Sequence, residues 1–165
     1  MPTDLNFSMG DYVVYPNHGV GRILGIETQQ ISGHELKLLV ISFDNDRMKL
    51  RLPVTKAQNS GLRALSSGKV MDQALQTVKG KAKVRRAMWS RRAQEYELKI
   101  NSGNPISIAE VIRDLHRASG QPEQSYSERQ LYEAALERLT RELAAIENID
   151  QTQAIERLQG ALKAA

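Results

Sequence analysis

Seven lysines and arginines, with no acidic residue among them, lie between Lys79 and Arg92 in KGKAKVRRAMWSRR. The same stretch holds the only tryptophan of the sequence, Trp89. Cationic side chains at this density bind the phosphates of a polyanion, and an aromatic ring among them can stack on or wedge beside a base. This is binding chemistry, not catalysis. A second pattern competes for the same residue. Trp89, Ala93, Tyr96 and Ile100 fall at i, i+4, i+7 and i+11, the spacing of a buried helical stripe. Spacing alone leaves both core packing and a nucleic-acid wedge open for Trp89.

Other candidates for chemistry are sparse. His18, His34 and His116 stand far apart, and none has a second ligand at the spacing a zinc site uses. With no cysteine there is no disulfide framework, thiol nucleophile or thiolate metal site. Gly19-Val20-Gly21 is half of a phosphate-binding fingerprint without its third glycine, and it reads as a β-turn. No nucleophile elbow or P-loop occurs. Glu133, Glu137 and Glu147 have basic neighbours on helical stretches, and Glu137 with Arg141 makes an i,i+4 pair on a solvated face. The expectation is a protein that is not an enzyme and uses no cofactor, metal or small-molecule substrate.

A length of 165 residues suits one ordinary domain or two small ones, and 41% hydrophobic with 25% charged residues is a globular composition. No apolar run reaches membrane-spanning length and no secretory signal opens the sequence, so the expected location is the cytoplasm. The net charge of +4 is unevenly spread: residues 1–57 are neutral, residues 58–122 carry +7 and residues 123–165 carry −3. The middle third is therefore the candidate polyanion surface.

The elements that must position these residues fall into two blocks. Residues 9–53 read as four or five short strands: GDYVVYP, then GVGRILGIETQQI with a bend at Gly25, a turn at Ile31-Ser32-Gly33-His34, a central ELKLLVISF, a turn at Asp44-Asn45-Asp46, and MKLRLP. In the last of these Met48, Leu50 and Leu52 alternate with Lys49 and Arg51, and Pro53 suits an edge. A small, strongly bent antiparallel sheet or partly open barrel follows. Residues 58–67 read as a junction between a β-rich domain, 1–57, and a helical domain, 68–165. Stripes at Val70-Met71-Ala74-Leu75-Val78, at Ile108-Val111-Ile112-Leu115, at Leu131-Ala135-Leu139-Leu143-Ile146 and at Ile155-Leu158-Leu162 join that of Trp89 in a compact bundle of about five helices. Ser107 with Glu110, Ser127 with Gln130 and Asp150 with Gln153 have capping-box spacing, and Gly120–Pro122 breaks the chain between two of the helices. The fold class is α+β with segregated halves.

Four of these segments resemble one family. Gly10-Asp11 with Tyr15-Pro16-Asn17-His18-Gly19-Val20-Gly21, Arg47-Met48-Lys49-Leu50-Arg51-Leu52-Pro53, Trp89-Ser90-Arg91-Arg92, and Ala109-Glu110-Val111-Ile112-Arg113-Asp114-Leu115 are similar, in order and spacing, to motifs of the CarD/CdnL family of bacterial transcription regulators. Lacking the R-G-R-P hooks and acidic extension of CarD proper, the sequence resembles the short CdnL type. The resemblance implies a Tudor-like (SH3-like) N-terminal domain that binds the RNA polymerase β subunit, and a helical domain that touches promoter DNA in the minor groove at the upstream edge of the bubble. Carried over by position, Arg51 and Pro53, with Lys49 beside them, match the polymerase-contacting strand. Gln29 stands where some relatives have an arginine in the same contact. Trp89 matches the wedge, with Arg91 and Arg92 as phosphate partners, while Lys81, Lys83, Arg85 and Arg86 supply general phosphate attraction. Glu128 beside Arg129 stands where some relatives carry a basic residue.

The resulting expectation is a monomeric regulator, held at the nucleoid through RNA polymerase, that stabilises open promoter complexes, including those of stable-RNA genes. The alternative is an autonomous, non-specific nucleic-acid binder whose β-module is Tudor- or KOW-like.

Overall fold

Apolar alternation and turn residues build strands between Tyr12 and Ala64, and the computed structural model describes residues 7–16, 18–43, 47–57, 59–83, 87–117 and 124–163. The chain divides into two compact units, Met1–Leu65 and Ser66–Ala165. In the first, β1 (Tyr12–Tyr15) pairs with β2 (Gly19–Ile31), β2 with β3 (His34–Phe43), and β3 with β4 (Met48–Pro53). A one-turn helix, α1 (Val54–Ala57), follows, and β5 (Arg63–Ala64) returns to β1. The sheet is antiparallel in the order β4-β3-β2-β1-β5, which leaves β4 on an edge. The core-facing residues Val13, Ile23, Leu39, Ile41 and Phe43 are buried, with Val54 and Leu62 closing over them. The stretch read as a junction thus contributes Leu62 to the core and Arg63–Ala64 to the sheet.

Local chemistry explains the joints. Ser32 and Gly33 both take positive φ, 54° and 81°, the geometry that a two-residue hairpin between right-twisted strands requires. The register shifts between Ile23 and Gly25, a bulge where the sequence has its strand glycine. Gly19-Val20-Gly21 is not a turn but the start of β2, opposite Tyr15, Val14 and Val13. Glycine is needed at Gly21 because a Cβ there would stand 2.7 Å from both Ile41 and Phe43 side chains. His18 stacks on Tyr15 at 5.7 Å between centroids and tilts against Phe43 at 5.4 Å, so this histidine packs over the core. The expected turn at Asp44-Asn45-Asp46 lies outside the described residues.

The second unit contains, among the described residues, five helices: α2 (Gly68–Val78), α3 (Trp89–Asn101), α4 (Pro105–Leu115), α5 (Tyr126–Glu147) and α6 (Gln151–Lys163). Helix α4 is the most enclosed, with Ile108, Ala109, Val111, Ile112 and Leu115 all buried against α2, α3 and α5. The stripes fall where their periodicity places them, with one exception. In α6 the inward residues are Ala154, Leu158 and Leu162, at strict i+4 steps, while Ile155 is exposed.

Two helix starts differ from the sequence expectation. Asn104 caps α4 by accepting from Ile106 N–H, and Pro105 occupies the first turn, where its missing N–H costs nothing. Ser107 is therefore already inside the helix. Ser125, not Ser127, caps α5 by accepting from Glu128 N–H at 3.2 Å. The box of Asp150 and Gln153 does form, each side chain accepting from the other's backbone N–H. The helix break expected at Gly120–Pro122 lies outside the described residues. No helix among the described residues is long and apolar enough to cross a membrane.

Candidate functional site

Helix α3 begins without a side-chain cap, since Met88 precedes it with no cap hydrogen bond. Its first residue, Trp89, is held from outside the helix instead. The indole Nε1–H donates to Ser127 Oγ at 2.9 Å, a bond that crosses to the first turn of α5. The Arg92 guanidinium lies over the indole ring at 5.3 Å and over the Tyr96 ring at 5.8 Å. Trp89 and Tyr96 are tilted against each other at 6.3 Å. Tyr96 and Ile100 are buried, whereas Trp89 and Ala93 are half-buried. The inner end of the stripe is core, and Trp89 packs against that core while remaining half-buried.

The basic residues around it separate into different roles. Lys81, Lys83 and Arg91 are exposed. Arg92 is folded over two rings, with its Nε buried and without a hydrogen-bond partner, a cost offset by cation–π contact. Arg85 and Arg86 lie outside the described residues. The approach to α3 is tied down from α4: Asp114, 3% exposed, accepts from the Lys83 backbone N–H at 2.9 Å and from Arg113 Nε at 2.9 Å. Near the start of α5, Glu128 meets Arg117 at 2.7 Å, so this acid is neutralised within the unit. Tyr126 and Met88, both strongly exposed, flank Ser127 and Trp89 in sequence. From sequence Ser127 reads as a helix cap and Asp114 only as part of the A-E-V-I-R-D-L segment, while Tyr126 has no assigned role. Only the exposed aromatic could have been noticed from residue type.

In the sheet unit the register puts the second set of residues on one face. Directly paired residues share a face; Arg51 pairs with Val40 and Val40 with Gly25, while Pro53 pairs with Leu38 and Leu38 with Glu27. Gln29 opposite Leu36 and Lys49 opposite Ser42 complete the same face. Thus Gln29, Lys49, Arg51 and Pro53 all lie on the side of the sheet away from Leu39 and Ile41. Leu24, Val40, Lys49 and Arg51 line a shallow groove of about 190 Å³ there. Arg51 Nε donates to Glu27 at 3.0 Å, with both side chains nearly half exposed. The pair orients Arg51 and contributes little stability.

The groups that could have suggested catalysis have other work. His116 closes α4 and its Nδ1 lies 3.0 Å from the Tyr132 hydroxyl of α5. Burial, and then the neighbouring Arg117 charge, hold this imidazole below its ordinary pKa, and burial alone raises the Tyr132 phenol. Among the described residues no group of His, Asp and Glu is arranged to hold a metal.

The chain thus carries an edge-stranded sheet followed by a helical unit with a half-buried tryptophan in its basic segment, and comparison with known proteins gives its family. Residues 7–66 match the family model described as the CarD-like/TRCF RID domain, and residues 73–159 match the CarD C-terminal domain. The chain belongs to the CarD family, and with it to a class of transcription regulators. A relative from Bacillus subtilis (strain 168), named "Putative transcription factor YdeB", is 29% identical over 147 residues, which cover 89% of this chain and 96% of the relative.

Proposed function

We propose that this chain docks on the β subunit of RNA polymerase through the β4 side of its sheet and stabilises the open promoter complex with Trp89 at the upstream fork. The observation that carries the reading is the setting of Trp89: a half-buried indole, oriented by three neighbours, inside the basic third of the chain. A wedge entering intact duplex must itself unstack a base step, a cost already met where DNA is opened, so its binding energy favours opened over closed DNA. At ~1–3 kcal/mol for a base–aromatic contact, the open-to-closed ratio shifts roughly 5- to 150-fold. On this reading the promoters of stable-RNA genes are among those whose open complexes the chain stabilises.

The match of residues 7–66 to the RID domain supports polymerase docking. So does the gathering of Gln29, Lys49, Arg51 and Pro53 on one face of a sheet whose edge strand is β4, a surface suited to strand addition or side-chain docking. Tethering raises the local concentration of the basic unit at DNA, so its own affinity can be weak. Lys81, Lys83 and Arg91 then supply phosphate contacts, and Arg92 stiffens the ring it covers.

The test is binding to a purified polymerase β fragment. Arg51→Glu reverses the charge at the centre of the face and is expected to abolish binding while leaving salt-sensitive DNA affinity intact. Unchanged binding would move the interface elsewhere. Strong DNA or RNA affinity with no polymerase binding by either form would establish an autonomous nucleic-acid binder instead.

A further inference from the structure

We infer that Ser127 is the positioning residue for the tryptophan wedge, fixing the indole before DNA arrives; the inference rests on the reading of Trp89 given above. An indole N–H is a donor with no acceptor function, and when half-buried it needs a partner. Ser127 Oγ supplies that partner at 2.9 Å, from a helix 38 residues further along the chain. This hydroxyl is not needed to start α5, because Ser125 already accepts from Glu128 N–H. Ser127 is exposed, so its side chain is not there for core packing.

The geometry accounts for the orientation of the ring. Arg92 lies over a face of the indole and Tyr96 meets it tilted at 49°, and a flip of the ring about its Cβ–Cγ bond would keep the face contact while turning Nε1 away from α5. The bond to Ser127 fixes which edge is turned toward α5. With both side-chain torsions set in advance, insertion does not have to order the ring, and that saving appears in complex lifetime. The bond also makes the wedge a property of two helices, α3 and α5, and not of the W-S-R-R segment alone.

The test compares Ser127→Ala and Ser127→Thr with the unaltered chain. Because Trp89 is the sole tryptophan, its anisotropy decay reports this ring alone. Ser127→Ala is expected to add a fast local depolarisation and to shorten the lifetime of the open complex roughly 2- to 10-fold, the scale of one neutral hydrogen bond. Ser127→Thr keeps the hydroxyl and is expected to match the unaltered chain in both. Binding to the polymerase β fragment should not change in either. If Trp89→Ala shortens the lifetime and Ser127→Ala does not, or lengthens it, the inference is overturned whatever the anisotropy shows. If Trp89→Ala itself has no effect, the wedge reading has failed, and an unchanged anisotropy decay in Ser127→Ala would overturn the positioning claim separately.

Discussion

Arg51 and Arg113 each meet one carboxylate at close to 3 Å, and their surroundings give the two pairs opposite uses. Arg51 and Glu27 are 46% and 45% exposed, so water and salt screen the pair and the cation stays available to a partner. The side chains of Arg113 and Asp114 are 10% and 4% exposed, and Asp114 also accepts from the Lys83 backbone N–H. Removing one member of a buried pair strands the other. Asp114→Ala is therefore expected to destabilise the chain by about 3–5 kcal/mol in urea unfolding. A loss below ~1 kcal/mol would mean that water replaces the carboxylate without cost. The arginine and aspartate of the A-E-V-I-R-D-L segment are thus paired with each other, and the aspartate also anchors the backbone at Lys83.

At the scale of elements, the unit of helices is organised by how each helix begins and ends. Asn148, at φ 54°, turns the chain out of α5, and the Gln151 amide donates to the buried Thr140 hydroxyl at 2.6 Å to set the start of α6. The end of α4 is fixed to α5 by His116 and Tyr132. Because burial and Arg117 lower the His116 pKa in the folded state, the unfolded chain binds this proton more readily. Stability then rises with pH between the folded pKa and 6.5, and is lost as pH falls through that window. Thermal unfolding is expected to show a lower midpoint at pH 5.5 than at pH 7.5, and His116→Phe is expected to remove most of that difference. An equal slope in the variant would place the titration on another group.

Helical stripes were legible in the sequence because a 3.6-residue period is repeated over three or more turns. Helix starts were less so. Ser125-x-x-Glu128 and Ser127-x-x-Gln130 fit the same capping pattern two residues apart, and spacing does not separate them. The contacts that orient the site leave still less trace. Asp114 holds a backbone N–H, which any residue but proline could provide, and Ser127 meets Trp89 across 38 positions. The shared face of Gln29 and Arg51 depends on the register after the Gly25 bulge, which reverses the parity a simple alternation would give.

For the whole molecule, the division of charge agrees with the division of labour proposed. The sheet unit draws on the neutral third, suited to a protein partner, and the +7 segment belongs almost entirely to the helical unit. That partition and the two-block architecture were readable from composition and pattern. The central claim is that Trp89 lengthens the life of opened promoter DNA. Its most direct measurement is the dissociation of open complexes, formed with polymerase at a stable-RNA promoter and challenged with competitor, in the presence of the chain or of Trp89→Ala. The expected result is a lifetime extended by the unaltered chain and shortened roughly 5- to 150-fold by the variant, with polymerase binding and helical content unchanged. Equal lifetimes for the two proteins, with the variant folded and bound, would contradict the account.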